Sequence, residues 1–296
     1  MTALALDVGG TKMAAARTLP DGSLEHPVTV STPQSGVWDA GAKLLRQVAG
    51  GATVTAVGIA SAGPVDTATG TVAPVNIGEW RGGFPIADAV RTLFPEATIR
   101  LVLDGAAAAL AEHRLGAGRD TSDLLGVVVS TGVGGGVIRG GRIMGGRTGN
   151  AGHIGHVVAP GADEPCGCGA HGCLETVASG PAALRWARAN GWVGATGADL
   201  AVDAALGEPT AAAALERAGT ALGRAFASAA ALLDVELVVV GGGFAQAGPA
   251  LWEPMTAAAA DHARLSFLTG LRLVPAELGV LGTLAGAAIL ATDDLS

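Results

Sequence analysis

The chain has 296 residues and a formal net charge of −8, and 49% of its residues are hydrophobic against 15% charged. This composition excludes a miniprotein and a disordered chain, because it supplies enough apolar surface for two cores of ordinary size. Lysine occurs only at Lys12 and Lys43, so no nucleic acid is expected as a partner. Neither a signal peptide nor a membrane span is expected, and the protein is predicted to be cytoplasmic and to bind no membrane.

The predicted elements are strands and helices in both halves of the chain, and in the first half they alternate. In the first half the strands are Ala3–Leu6, Met13–Thr18, Val54–Ile59 and Ile99–Leu103, and the helices are Val37–Val48, Ile86–Leu93 and Gly105–Leu115. In the second half the strands are Leu124–Val129, Val137–Met144 and Leu237–Val240, and the helices are Pro181–Asn190, Asp199–Leu206, Thr210–Leu233 and Leu281–Ala291.

Each half opens with a strand, a glycine turn and a second strand. The turns are Asp7–Lys12 and Ser130–Gly136. This repetition predicts an α/β fold with two domains that face each other across a central cleft. The expected domains are 1–117, rejoined by the C-terminal helix 282–294, and 118–281, with the boundary in the glycine-rich segment Gly116–Asp123.

Both glycine turns have the composition of an anion-binding loop, because backbone N–H groups can converge where no Cβ blocks their approach. Asp7 at a strand end could hold hydrated Mg²⁺, while Thr11 and Lys12 supply a hydroxyl and a charge to a polyphosphate. A plain hairpin whose Asp caps its own backbone is the alternative for one such loop. Neither loop has the P-loop pattern, and Val137 breaks the dinucleotide-binding pattern in the second.

The three cysteines lie within eight positions, at Cys166, Cys168 and Cys173. Together with one histidine they would complete a closed tetrahedral Zn²⁺ shell, which is typical of a structural site. Spacing alone allows either His156 or His171 as the fourth ligand. Reduced cysteines in a loop without metal are the alternative.

Asp104 follows a predicted strand and opens an alanine-rich helix. An aspartate in this position is commonly a helix N-cap. A carboxylate at the carboxyl end of a strand beside a cleft also suits a general base. Residue type leaves both interpretations open.

The glycine loops resemble those of the ROK family (repressors, open reading frames and sugar kinases) in the actin-like ATPase superfamily. Asp7–Lys12 is similar to its phosphate-1 motif, Ser130–Gly136 to its phosphate-2 loop and Val240–Gly243 to its adenosine-side loop. The resemblance implies a two-domain actin-like (ribonuclease H-like) fold that binds ATP with Mg²⁺. The residues it assigns to the nucleotide and its metal are Asp7, Gly9, Gly10, Thr11, Lys12, Thr131, Gly132, Gly134 and Gly242.

The segment from His156 to Glu175 resembles the zinc signature of the same family. That signature selects His156, with Cys166, Cys168 and Cys173, as the ligands of a structural Zn²⁺. The resemblance further implies that Asp104 is the catalytic base. It also implies that the sugar is bound by His156 and Glu175, with Asn76 and His153 as further substrate-binding residues.

Two positions depart from the usual pattern of the family. Leu103 stands where an asparagine usually binds a sugar hydroxyl. His153, in Ala151–His156, stands where most members have glutamate. The sequence Ala-Gly-His-Ile-Gly-His resembles the signature of the N-acetylmannosamine kinases within the family. That resemblance implies phosphorylation of the 6-hydroxyl of N-acetylmannosamine, although a neutral packed histidine is an alternative for His153 alone.

Three other functions remain open at this stage. A glucokinase or a kinase for another hexose or a cyclitol is the nearest, because Leu103 removes part of the expected pocket. A non-catalytic sugar sensor would bind sugar without releasing ADP. A repressor is disfavoured because only six residues precede Asp7, which leaves no room there for a DNA-binding domain. A homodimer is implied by the family alone.

Overall fold

The computed structural model describes residues 2–19 and 22–292, so the last two residues of the predicted C-terminal helix lie outside the described part. Two compact units divide the chain. One unit consists of the described residues within 1–115, 136–152 and 280–296, and the other of 116–135 and 153–279. Within the described residues, no helix has both the length and the apolar character needed to cross a membrane.

The described chain contains both strands and helices, which alternate one by one from α2 to β8 and from α7 to α9. The strands are β1 (Thr2–Val8), β2 (Lys12–Thr18), β3 (Leu24–Ser31), β4 (Val54–Ser61), β5 (Val65–Asp66), β6 (Thr71–Val72), β7 (Thr98–Leu103), β8 (Leu124–Val129), β9 (Val133–Arg139), β10 (Arg142–Ile143), β11 (Leu237–Gly241) and β12 (Arg272–Pro275). The helices are α1 (Val37–Ala49), α2 (Ile86–Leu93), α3 (Asp104–Leu115), α4 (Glu175–Ala178), α5 (Gly180–Ala189), α6 (Gly197–Ala205), α7 (Pro209–Leu233), α8 (Pro249–His262) and α9 (Gly282–Thr292).

The first unit is built on a sheet with the strand order β3-β2-β1-β4-β7. Strands β1, β4 and β7 run parallel, and β2 and β3 are added antiparallel. Alternate residues of β1 enter different cores, because successive side chains of a strand point to opposite faces. Leu4 and Leu6 join the larger core with Leu44 of α1. Ala5 joins an alanine-rich core with Ala287 of α9.

Helix α9 lies very close to the sheet because Gly58 of β4 has no side chain. A Cβ at Gly58 would lie 2.9 Å from the backbone nitrogen of Ala291. Helix α9 also packs closely against α3 at Gly286, where a Cβ would lie 2.8 Å from the Cα of Ala107. These contacts fix α3, which begins at Asp104, against both α9 and the sheet.

The second sheet has the order β10-β9-β8-β11-β12, with β8, β11 and β12 parallel. The chain passes from the second unit to the first within β9. Helices α7 and α8 of the second unit also approach closely, since a Cβ at Gly219 would lie 3.0 Å from Cγ of Pro254 and 3.2 Å from the nitrogen of Met255.

The structure corrects several predicted elements. Residues 133–136, expected in the glycine turn, already belong to β9, and the expected return strand Val137–Met144 is divided by a turn at Gly140 and Gly141. Both of these glycines have positive φ, of 57° and 74°, as a tight two-residue hairpin turn requires. The strand β3 and the helix α8 were not predicted. Each of them contains a proline, a residue that usually argues against a strand or a helix. In β3 the proline is tolerated because β3 is an edge strand, and in α8 because it lies in the first turn.

Candidate functional site

The first glycine loop is a tight hairpin between β1 and β2. The Gly9 N–H donates to the Lys12 carbonyl at 3.0 Å. Thr32, which follows β3, holds the loop from the other side: its hydroxyl donates to the Gly9 carbonyl at 2.6 Å and its N–H donates to the Thr11 carbonyl at 3.0 Å. Because these carbonyls are occupied within the fold, the loop keeps one backbone shape.

Two carboxylates, Asp7 and Asp104, lie at the carboxyl-end edge of the first sheet. Asp7 is near the end of β1, and Asp104 directly follows β7. Burial and the neighbouring charge of Asp104 raise the pKa of Asp7 to about 7, although Lys12 opposes this shift. Burial raises the pKa of Asp104 to about 6, opposed by the Gly105 N–H, which donates to its carboxylate at 2.7 Å. A carboxylate with a raised pKa is a better proton acceptor than an ordinary aspartate.

Asn76 lies directly against the first glycine loop. An ideal Cβ placed on Gly10 would be 2.5 Å from both Cγ and Nδ2 of Asn76. The structure therefore brings this predicted sugar ligand next to the loop expected to bind phosphate.

The second glycine loop is held at the start of α5. The Ser130 N–H donates to the Gly132 carbonyl, and the Gly180 N–H donates to the Ser130 carbonyl, each at 2.9 Å. Thr131 is exposed and Gly134 faces open space. Gly242, with φ of 95°, lies against the backbone of Val129 at the end of β8, where a Cβ would come within 2.8 Å of its nitrogen.

Four predicted zinc ligands converge in the second unit. The ligand atoms of His156, Cys166, Cys168 and Cys173 all lie within 4.8 Å of one another. The Cys168 and Cys173 sulfurs are 3.7 Å apart, as are the Cys166 sulfur and His156 Nδ1. Tetrahedral zinc with Zn–S bonds of about 2.3 Å separates its ligands by about 3.8 Å. The donor set therefore fits Zn²⁺, and the geometry selects His156 rather than His171.

Zinc removal is expected to loosen this loop and destabilise the protein. Residues 157–174 form no regular helix or strand, so four metal bonds contribute a large share of their ordering. Chelation, or the substitution His156→Ala, should lower Tm by at least about 5 °C, because each kcal/mol shifts Tm by about 2–4 °C in a unit of this size. Thermal melting together with the zinc content of the purified protein measures this effect.

The matched control is His171→Ala, which removes a histidine from the same loop outside the cluster. It should leave both zinc content and Tm close to the wild-type values. Equal loss of zinc in the two variants, or a melting temperature insensitive to chelation, would contradict the proposed ligand set.

Glu175 connects the zinc cluster to the second glycine loop. Its Oε1 accepts from the Cys166 thiol at 3.1 Å and lies 3.9 Å from His156 Nδ1, while a Cβ at Gly132 would be 3.0 Å from its Oε2.

The ring of His153 is 5.7 Å from that of His156. Burial, with His156 nearby, lowers the pKa of His153 although Glu175 opposes the shift. The lowered pKa favours the neutral imidazole, which can donate at one nitrogen and accept at the other.

Asn150 is a structural residue of this region that the sequence did not reveal. It makes two hydrogen bonds to the backbone of Val65, accepting from its N–H at 2.9 Å and donating to its carbonyl at 2.6 Å. It also donates to the Thr148 hydroxyl at 2.9 Å. These bonds fix the chain three residues before His153. An asparagine in a glycine-rich segment was the only available signal, and it does not identify a partner 85 residues away.

The family model described as "ROK family" matches residues 3–294. The chain belongs to the ROK family.

Similar proteins within the ROK family differ in their named sugars. An N-acetylmannosamine kinase from Shigella boydii is 37% identical over 247 residues, which cover 82% of this chain and 83% of the relative. A ROK hexokinase from Thermus thermophilus has a TM-score of 0.84 and 35% identity, with 98% of each chain covered. A ROK glucokinase from Streptomyces griseus, solved with glucose and AMPPNP, has a TM-score of 0.81 and 32% identity, covering 98% of this chain and 99% of that one.

Proposed function

We propose that this ROK protein is an ATP-dependent sugar kinase that phosphorylates the 6-hydroxyl of N-acetylmannosamine. The relative from Shigella boydii carries that activity in its name and shares 37% of its residues with this chain over 247 positions. The raised pKa of Asp104 and the glycine loop beside Asp7 supply the chemistry that such a reaction needs. The proposal includes a cytoplasmic location and a homodimer.

His153 is the observation that carries the choice of sugar. Overall sequence identity does not select the sugar, because the hexokinase and the glucokinase are nearly as similar to this chain as the N-acetylmannosamine kinase is. A glutamate accepts hydrogen bonds only, whereas neutral His153 can donate to the carbonyl of an acetamido group. An acetamido sugar therefore matches His153 better than a plain hexose does.

Asp104 takes the proton of the 6-hydroxyl while that oxygen attacks the γ-phosphoryl group. The loops Gly9–Lys12 and Thr131–Gly134 bind the phosphates through backbone N–H groups, with Lys12 adding a positive charge and Gly242 near the adenosine. His153, His156, Glu175 and Asn76 orient the sugar. Asp7 would hold Mg²⁺, which would supply positive charge to the transferring phosphoryl group. Catalysis then depends mainly on position and charge stabilisation.

A panel of sugars tests the proposal directly. ADP release is measured with N-acetylmannosamine, glucose, mannose and N-acetylglucosamine. The highest kcat/KM is expected with N-acetylmannosamine, and the substitution His153→Glu should shift the preference towards glucose by about tenfold or more, since lost hydrogen-bond complementarity costs about 1–3 kcal/mol. The matched control His171→Glu places the same charge change at an exposed residue of the second unit and should leave the preference unchanged.

A higher kcat/KM for glucose than for N-acetylmannosamine in the wild-type protein would replace this proposal with a glucokinase. Leu103 is the observation that favours that alternative or another hexose or cyclitol kinase. It is only 2% exposed and belongs to the apolar core with Ile77 and Trp80, so it offers no hydrogen bond to a sugar. Sugar binding without ADP release from any sugar would instead indicate a sensor.

A further inference from the structure

Gly10 and Asn76 form a contact between two segments that the proposed function treats separately. The first belongs to the phosphate loop and the second to the sugar site. A Cβ on Gly10 would have its three nearest neighbours in the Asn76 side chain: Cγ and Nδ2 at 2.5 Å and Cβ at 2.9 Å. Real Cβ atoms do not approach that closely, so any side chain at position 10 displaces the amide of Asn76.

The requirement for glycine at position 10 comes from space rather than from backbone conformation. Gly10 is not among the glycines with positive φ, so its backbone suits an ordinary residue. Gly9 differs, since a Cβ there would lie 3.1 Å from the Lys12 carbonyl of its own loop. The absence of a side chain at Gly10 therefore leaves the space that the Asn76 side chain occupies.

The backbone beside Asn76 is fixed, so its side chain has a defined starting point. Ile77 is 3% exposed, and its N–H donates to the Pro74 carbonyl at 3.2 Å. The buried ring of Trp80 stacks on Phe84 with centroids 4.4 Å apart. Asn76 itself is exposed. Its amide therefore stands at the surface of a rigid segment, available to a ligand and supported on one side by Gly10.

We infer that Gly10 is a positioning residue for the sugar: it seats the Asn76 amide, and thereby shapes the sugar site from within the phosphate loop. The inference rests on the proposed function, since it takes Asn76 as a ligand of the acceptor sugar. An amide presents a donor and an acceptor, which match adjacent sugar hydroxyls. With alanine at position 10, the amide moves away and these hydrogen bonds are lost even when no nucleotide is bound.

The test is a double-mutant cycle on sugar affinity, measured by titration calorimetry with N-acetylmannosamine in the absence of nucleotide. Gly10→Ala and Asn76→Ala should each weaken sugar binding about five- to tenfold, the effect of one or two hydrogen bonds. The double variant should bind no more weakly than Asn76→Ala alone. The matched control is Gly78→Ala, two residues from Asn76, where a Cβ meets no atom within 4 Å; it should bind as the wild type does.

If Gly10 were needed only for phosphate binding, Gly10→Ala would leave the affinity for sugar in the absence of nucleotide unchanged. This result would overturn the inference. Additive losses in the double variant would overturn it as well, because the two substitutions would then act independently. Failure of the proposed function gives a different result. The wild-type protein would then release no ADP from ATP with any sugar of the panel, whatever the double-mutant cycle shows. Thermal melting of each variant confirms that the compared proteins are folded.

Discussion

Asp104→Asn should lower kcat by about 10³-fold, within the range of about 10²–10⁴-fold that a general base contributes. The amide has nearly the shape of the carboxylate but cannot accept the proton of the sugar hydroxyl. Binding of N-acetylmannosamine and AMPPNP should change by less than about threefold, because the proposed phosphate loop and the proposed sugar ligands remain intact. Steady-state ADP release and calorimetry measure the two quantities separately.

The pH dependence provides a second measurement of the same role. Asp104 acts as a base only when it is deprotonated, and its pKa is raised to about 6 by burial. The wild-type kcat should therefore fall as the pH drops below about 6, and the residual rate of Asp104→Asn should lack the part of that fall that protonation of Asp104 causes. Protonation of Asp7, whose pKa is raised to about 7 by burial and by Asp104, lowers the rate of both proteins. Asp88→Asn, at an exposed residue of α2, is the matched control and should keep the wild-type rate and profile. Wild-type kcat in Asp104→Asn would remove Asp104 as the base.

The sequence predicted those features whose cause is local. The hairpin at Asp7–Lys12 follows from two apolar runs around a glycine turn, and its strands are present at β1 and β2. The ligand spacing of the cysteines predicted a metal site, and the structure brings the sulfurs together with His156. Spacing alone did not distinguish His156 from His171, because the choice depends on how residues 157–174 fold back on themselves.

Features that depend on contacts between distant segments were not predictable. The bond between Asn150 and Val65 joins residues far apart in the chain, and nothing local to either residue requires it. The same is true of Gly10 and Asn76. Composition even misled at Ser130–Gly136, where a run of glycines suggested a turn. In the structure residues 134–136 belong to β9, and Gly136 lies where the backbone of a helix passes too close for a side chain.

That close passage concerns Gly136 and the first turn of α3, which follows Asp104. A Cβ on Gly136 would lie 2.6 Å from both the nitrogen of Ala106 and the carbonyl oxygen of Gly105. These are backbone atoms, so the helix turn itself must move to accommodate a side chain. Gly105 also donates the hydrogen bond that holds the Asp104 carboxylate. Gly286 of α9 lies against the carbonyl of Ala107, two residues after Gly105, which leaves the turn no free space in that direction.

Gly136→Ala should therefore displace the base and lower kcat by about 10²-fold, the loss expected when a catalytic group shifts by about 1 Å. Affinity for the sugar in the absence of nucleotide should change much less, because Asn76 keeps its own support at Gly10. ADP release and calorimetry measure this contrast, and Gly82→Ala is the matched control, since a Cβ there meets no atom within 4 Å. Equal kcat values for the two variants would mean that the first turn of α3 adapts without moving Asp104. A large fall in kcat with sugar affinity retained would instead show that Gly136 is needed to align the proposed base, a role that its place in the proposed phosphate loop does not reveal.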